Sequence, residues 1–139
     1  MRYLLDTNVV SDSTKPRPDP RVTRWMGARP QEHFALSTIT LGEIQKGASK
    51  LEPGAKRTYL IQWLEEIPTE YRDRVIPVDV PIARAWGRIA DEGRRAGREL
   101  SVPDGILVAT AVIHDMVLVT RNERHFRDRG IQILNPWNR

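Results

Sequence analysis

Three acidic residues and one amide stand where their side chains can build a metal site: Asp6, Glu43, Asp104 and Asn122. Three carboxylates held close together raise one another's pKa values unless a cation neutralises them. A hard divalent ion with oxygen ligands, Mg²⁺ or Mn²⁺, is the simplest remedy. Beside a phosphodiester, such an ion polarises the phosphoryl oxygen and activates a water, whose proton a neighbouring carboxylate accepts. The residue types therefore point to metal-dependent hydrolysis of a phosphodiester.

Each of these four residues also has a plain structural interpretation. Asp6 follows a short apolar run, where an aspartate commonly forms a turn or caps a helix. Glu43 completes a T-x-x-E capping box that starts at Thr40. Asp104 lies in a predicted first helical turn, where the helix dipole favours a carboxylate, and Asn122 is an ordinary loop residue. Spacing alone leaves both interpretations open.

The elements that would position these side chains alternate between strands and helices. Apolar runs predict strands at 3–5, 34–37, 74–80, 116–120 and 131–134, with Pro77 placing the third at an edge. One helix is predicted to begin at Pro20, with Asp19 as its N-cap. Four more are predicted over 41–50, along the apolar stripe 59–67, from Pro81 to Gly97, and from Pro103 to 113. This alternation predicts an α/β fold with a mainly parallel central sheet covered by helices. In such sheets ligands bind beyond the carboxyl ends of the strands, where all four site residues would lie.

Composition narrows the class of protein. The 139 residues fit one domain over 1–139, and the lack of cysteine excludes disulfides, a thiolate nucleophile and a Cys-ligated zinc. His33, His114 and His125 show no zinc-ligand spacing. The net charge of +4, carried mostly by arginine, suits phosphate contacts but equally serves solubility. With neither a long apolar run nor a secretory signal, we expect a cytoplasmic protein without a membrane span.

Four ordered motifs carry a family resemblance. They are Tyr-Leu-Leu-Asp-Thr-Asn at 3–8, the stretch 37–47 that contains Glu43, Pro-Asp-Gly at 103–105 with the helix after it, and Val-Thr-Arg-Asn at 119–122, followed by Phe126 and Asn-Pro-Trp at 135–137. Together they span nearly the whole chain. The chain resembles PIN-domain ribonucleases, and among them the VapC-type toxins of bacterial toxin–antitoxin pairs, closest to the FitB-like branch. The resemblance implies a PIN-like α/β/α sandwich.

The resemblance also implies how a metal would be held. Mg²⁺, or Mn²⁺, would be bound by Asp6, Glu43 and Asp104. Asn122 stands where relatives often carry a fourth acidic residue, and a neutral side chain there favours one ion over two. His125 stands where relatives usually carry Asp. Three further residues would support the ligands from behind: Thr7, Asn8 and Thr120.

Partners follow from the same resemblance. VapC-like toxins are usually homodimers, cleave structured RNA such as tRNA or ribosomal RNA, and are neutralised by a small DNA-binding antitoxin of the VapB type. The antitoxin's C-terminal tail lies in a groove of the toxin. Trp25 and Trp63 either line that groove or belong to the core.

Two other classes remain as alternatives. Aspartyl-phosphate phosphotransferases also place an aspartate after the first strand. They generally require a second acid two residues later, where this chain has Asn8, and a downstream lysine near the site, whereas lysine is scarce in the last third of this chain. A PIN-fold protein that binds RNA or a partner without cutting is the other alternative. Intact Asp6, Glu43 and Asp104 argue against it, because an idle group of carboxylates is an electrostatic cost, whereas Asn122 leaves it some room.

Overall fold

A five-stranded parallel sheet forms the centre of the molecule, with strand order β3-β2-β1-β4-β5. A computed structural model describes residues 1–138 of the 139-residue chain. The strands are β1 (Tyr3–Leu5), β2 (Phe34–Ser37), β3 (Val75–Ile76), β4 (Val117–Val119) and β5 (Ile133–Leu134). The helices are α1 (Thr7–Ser13), α2 (Pro20–Gly27), α3 (Thr38–Lys50), α4 (Ala55–Tyr71), α5 (Val80–Arg95), α6 (Val102–His114) and α7 (Glu123–Phe126). Three short 3₁₀ helices complete the described chain: Gln31–His33, Arg72–Arg74 and Pro136–Asn138.

The order of the strands creates a crevice at the middle of the sheet. The chain runs from β1 outward through β2 to β3, then returns to build β4 and β5 on the other side of β1. Loops that leave the carboxyl ends of β1 and β4 therefore diverge in opposite directions. In open parallel sheets ligands bind at this switch point, and Asp6 and Thr120 are the residues that follow the two strands.

Helices cover both faces of the sheet, as the alternation of side chains along each strand requires. On β1, Leu4 packs with Leu107 and Phe126 in one hydrophobic cluster, whereas Tyr3 and Leu5 pack in a second cluster on the opposite face. The predicted α/β/α sandwich is confirmed.

One contact between α5 and α6 fixes how closely these two helices pack. A Cβ added at Gly105 would lie 2.8 Å from Cδ1 and 2.9 Å from Nε1 of Trp86. Only glycine lets α6 lie so close to the indole. Because Gly105 is the neighbour of Asp104, this packing also sets where that carboxylate stands.

Several predicted boundaries were wrong. The strand predicted over 74–80 is only Val75–Ile76, because Pro77 interrupts it and Asp79 caps α5, which begins at Val80. This short strand does lie at the edge of the sheet, as predicted. Helix α3 begins at Thr38 instead of about residue 41. Helices α1 and α7 were not predicted. Within residues 1–138 no helix is both long enough and apolar enough to span a membrane.

Candidate metal-binding site

Asp6 occupies the crevice at the carboxyl end of β1. Its backbone N–H donates to the carbonyl of Val119 on the neighbouring strand at 2.9 Å, and the residue is only 4% exposed. The carboxylate caps α1 by accepting the Thr7 N–H at 2.6 Å. It also accepts the Thr120 hydroxyl at 2.7 Å, in a fully buried hydrogen bond. Asp6 is thus both a helix cap and a carboxylate held rigidly from two sides.

A network of polar groups holds Asp6 from behind. Asn8 Nδ2 donates to Asp6 Oδ2 at 3.3 Å and approaches Thr120 Oγ1 at 3.5 Å. The backbone amide of Arg121 donates to Asn8 Oδ1 at 3.3 Å, and that of Asn122 to Thr120 Oγ1 at 3.0 Å. The loop after β4 and the first turn of α1 are therefore joined through Asn8 and Thr120. Both residues form hydrogen bonds with Asp6, and their supporting role at a metal site stays a prediction.

The charges of the other two predicted carboxylates, Asp104 and Glu43, act on Asp6. Burial raises the pKa of Asp6, while the hydrogen bonds from Thr120 and Thr7 oppose that rise. The negative charges of Asp104 and Glu43 push the same pKa further up. The fold therefore brings residues distant in sequence close enough for their charges to interact.

Glu43 reaches this region from the second turn of α3. The cap of that helix is Ser37, whose Oγ accepts the Ile39 N–H at 3.1 Å. The capping box from Thr40 to Glu43 is therefore wrong, and the half-buried Glu43 side chain has no role at the helix start.

Asp104 lies in the first turn of α6, as predicted. Ser101 caps this helix by accepting the Asp104 backbone N–H at 3.3 Å. The Asp104 side chain is 20% exposed, and its Oδ2 lies 3.4 Å from Nδ1 of His125, whose side chain is 59% exposed. The sequence singled out His125 only as an unusual residue. Its contact with Asp104 joins α6 to the four-residue helix α7, which no local pattern reveals.

Asn122 stands on the same rim but is exposed, and its side chain does not cap α7. Its backbone amide, held by Thr120, is the part that joins the network. The sequence missed another buried acid, Asp12, which is 4% exposed and accepts the Asp19 backbone N–H at 3.1 Å. Asp12 thereby ties the end of α1 to the start of α2.

The donor set suits a hydrated divalent ion better than a closed protein cage. In the part of the chain that the structure describes, no three His, Cys, Asp or Glu side chains are arranged to hold an ion by themselves. Two buried hydroxyls, Thr7 Oγ1 and Thr40 Oγ1, have no hydrogen-bond partner. Thr7 directly follows Asp6, and Thr40 precedes Glu43 by about one helical turn. Mg²⁺ keeps several of its waters and takes one or two carboxylates, so these oxygen donors fit it.

A groove begins beside these residues and runs along α1, α3 and α4. It measures about 820 Å³ and its wall includes Thr7 and Glu43 at one end and the apolar side chains Leu51, Tyr59 and Leu60. Trp63 lines a separate pocket of about 370 Å³ between α2 and α4.

Trp25 belongs to the core. It is 4% exposed and packs edge-on against Tyr3, with ring centroids 5.1 Å apart, and against Phe34. Neither Trp25 nor Trp63 lines the groove beside Glu43. The alternative that Trp25 belongs to the core is confirmed, whereas a place for Trp63 in an antitoxin groove stays a prediction.

Comparison with known proteins decides the family. The profile of the PIN domain matches residues 3–131. The chain belongs to the PIN-domain family. This PIN domain is 34% identical to Toxin FitB of Neisseria gonorrhoeae, over 97% of this chain and 98% of FitB. It is also 34% identical to VapC ribonuclease Y4jK of Sinorhizobium fredii, over 96% of each chain.

Solved structures agree with that assignment. FitAcB from Neisseria gonorrhoeae is similar to this PIN domain with a TM-score of 0.89 and 33% identity, covering 99% of both chains. A toxin–antitoxin complex from Klebsiella pneumoniae contains a chain that matches with a TM-score of 0.69 and 25% identity, over 96% of this chain and 97% of that one. The predicted resemblance to PIN-domain toxins of the FitB and VapC kind is confirmed.

Proposed function

We propose that this PIN domain is a metal-dependent endoribonuclease that acts as the toxin of a type II toxin–antitoxin pair. The observation that carries the proposal is the buried Asp6 carboxylate at the switch point of the sheet, where the charges of Glu43 and Asp104 act on it. The names of the relatives support it, since they include a toxin and a ribonuclease. We further propose that residues 1–139 act as one domain in the cytoplasm.

Asp6, Glu43 and Asp104 would hold the ion, Mg²⁺ or alternatively Mn²⁺, with Asn122 as a weaker neutral neighbour. When bound, the ion supplies Lewis-acid activation of the phosphoryl oxygen and lowers the pKa of a water. Thr120 and Asn8 keep the Asp6 oxygens fixed in orientation. A carboxylate oxygen of Asp6, Glu43 or Asp104 acts as the general base and accepts the proton of the attacking water.

The substrate we propose is structured RNA of the tRNA or ribosomal RNA class, so that cleavage stops translation and growth. A small VapB-like antitoxin would neutralise the protein, in keeping with the toxin–antitoxin complex that contains the similar Klebsiella pneumoniae chain. The groove that begins at Thr7 and Glu43 is the surface we assign to the antitoxin tail, because a segment bound there blocks the carboxylates. We propose a homodimer for the toxin itself.

Replacement of single carboxylates tests the activity. Asp6→Ala and Asp104→Ala should lower Mg²⁺-dependent RNA cleavage by about 100-fold or more and abolish growth inhibition. Asp6→Asn keeps the shape of the side chain and should be equally inactive while remaining folded by circular dichroism. Asp91→Ala, on the outer part of α5, is the matched control and should cleave like wild type.

Sequencing RNA 5′ ends after brief expression would identify the bond that is cut. New ends that appear with wild type and vanish with Asp6→Asn are the expected result. Full toxicity of the Asp6 and Asp104 variants would refute the proposal. RNA binding without any Mg²⁺-dependent cleavage would instead favour the alternative of a PIN-fold binding protein.

A further inference from the structure

Two arginines stand together beside the proposed site, between the loop that joins α5 to α6 and the loop that follows α7. Arg98 Nη2 donates to the carbonyl of Arg127 at 2.7 Å. Arg129 Nη1 donates to the carbonyl of Arg98 at 2.8 Å, and its Nε donates to the carbonyl of His125 at 3.2 Å. Both guanidinium groups are therefore held in place by main-chain oxygens. Arg129 uses two of its five N–H donors in this way, so donors remain for a ligand.

The arginine pair shares its pocket with two acidic residues, Glu92 and Asp128. Among residues 1–138, neither Arg98 nor Arg129 forms an ion pair with them or with any other carboxylate. Burial and then the nearby charge of Arg98 lower the pKa of Arg129. Two like charges held close together, each with spare donors, are stabilised by an anion that binds both.

The backbone around the pair is built to permit this approach. A Cβ added at Gly93 would lie 2.8 Å from the Arg98 carbonyl oxygen and 3.6 Å from Arg129 Nη1. The Arg98 amide in turn donates to the Gly93 carbonyl at 2.8 Å. The pocket in front of the pair measures about 360 Å³. Gly93 and its main-chain hydrogen bond thus fix the backbone that lines this pocket, which is large enough for one phosphate group.

His125 connects the arginine pair to the acidic residues. Its carbonyl accepts the Arg129 Nε–H at 3.2 Å, while its ring Nδ1 lies 3.4 Å from Asp104 Oδ2. One residue therefore separates the pair from the proposed metal ligand Asp104.

We propose that Arg98 and Arg129 bind a backbone phosphate of the RNA that flanks the bond to be cut. The inference rests on the proposed nuclease function and adds a binding site to it. Guanidinium groups match phosphate oxygens with paired N–H donors, and such charge-assisted hydrogen bonds are the strong ones. The pair is a positioning site, since it touches the substrate away from the reacting phosphorus.

Salt dependence of RNA binding tests the site. A fluorescein-labelled single-stranded RNA of mixed sequence is titrated with the Asp6→Asn chain, which binds without cutting. Each phosphate contact contributes about 0.7 to the slope of log affinity against log salt. Arg98→Gln and Arg129→Gln should each reduce the slope by about that amount. The double variant should lose no more than either single one, because both arginines share one phosphate. In the cleaving chain, the same variants should raise KM and leave kcat unchanged, as loss of uniform binding requires.

Arg94→Gln is the matched control, since Arg94 lies on α5 near the pair but is bound to Asp91 at 2.9 Å. It should leave the slope unchanged. Arg129→Lys keeps the charge and should retain most of the slope. An unchanged slope in Arg98→Gln and Arg129→Gln overturns the inference, even if the thermal stability of the variants falls. In that case the two arginines would only stabilise the loops that they join. If Asp6→Ala still abolishes cleavage, the proposed function stands without the site; if wild type neither binds nor cuts RNA, both fail.

Discussion

Thr120→Val tests how far the proposed metal site depends on the residues behind it. The Thr120 hydroxyl donates to Asp6 Oδ2 at 2.7 Å and accepts the Asn122 amide at 3.0 Å, and the side chain is fully buried. Valine has nearly the same shape, so the substitution removes these hydrogen bonds and leaves the packing in place. Asp6 then keeps the Thr7 amide and the longer contact from Asn8.

The magnitude follows from the hydrogen bond that is lost. A buried hydrogen bond to a charged group contributes about 1.5–3 kcal/mol. That bond lowers the pKa of Asp6 against the effect of burial, so its loss raises the pKa further. It also frees Asp6 Oδ2 from the group that holds it in orientation, and loss of such a group weakens metal binding. At about 1.4 kcal/mol per factor of ten, divalent metal binding should weaken by about 10- to 100-fold at neutral pH.

Calorimetric titration with Mg²⁺ and with Mn²⁺ measures this directly, and cleavage should fall in parallel. Thr110→Val is the control, because Thr110 is equally buried but its hydroxyl donates to the Ile106 carbonyl at 2.8 Å inside α6. Its metal affinity should match that of wild type. Equal losses in both variants, or a Thr120→Val affinity within a factor of two of wild type in a folded protein, would refute the reasoning.

Two further pairs of substitutions test the fold around the site by thermal unfolding. Gly105→Ala should lower the free energy of unfolding by about 1–3 kcal/mol, because its Cβ overlaps the Trp86 ring. Gly87→Ala, with open space around its Cβ, should leave stability unchanged or raise it by up to about 1 kcal/mol, and equal destabilisation of both would contradict this. Ser37→Ala should cost about 1 kcal/mol as loss of a helix cap. Thr40→Val should leave the free energy of unfolding unchanged, because the buried Thr40 hydroxyl has no partner. A larger loss of stability in Thr40→Val than in Ser37→Ala would instead support a capping box that starts at Thr40.

The sequence could predict what depends on short-range pattern. Buried apolar runs mark the central strands β1, β2 and β4, and parallel strands place the residues that follow them on one rim. That was enough to predict that Asp6, Glu43, Asp104 and Asn122 share one edge of the sheet. The placement of Asp104 in a first helical turn rests on Pro103, which favours the start of a helix, and the structure confirms that placement.

The features that the sequence did not predict depend on tertiary packing, which short-range patterns do not indicate. Helix α1 includes Val9 and Val10, β-branched residues with modest helix propensity, and it forms because both are buried in the core. The contact of His125 with Asp104 joins two helices, and the arginine pair joins two loops, that are adjacent only in the folded chain.

The cap of α3 shows how tertiary structure chose between two adequate local signals. Ser37 and Thr40 are both favourable capping residues, and only Thr40 has a glutamate three positions later. Ser37 pairs with Ile76 in the sheet, so the chain leaves β2 at that residue and the helix starts there. Glu43 is consequently moved from the helix start to the second turn.

That displacement bears on how the proposed trio can hold an ion. A capping glutamate is held at the helix start by its own hydrogen bond to a backbone N–H. Glu43 has no such role, whereas Asp6 is fixed by the Thr7 amide and the Thr120 hydroxyl. Asp104 is anchored through its backbone amide, and its partly exposed side chain contacts His125 at 3.4 Å. Because the three carboxylates are not at ligating distance in the described structure, we expect Asp6 to stay in place on metal binding. Glu43 and Asp104 would then close on the ion by changes of rotamer or through its bound waters.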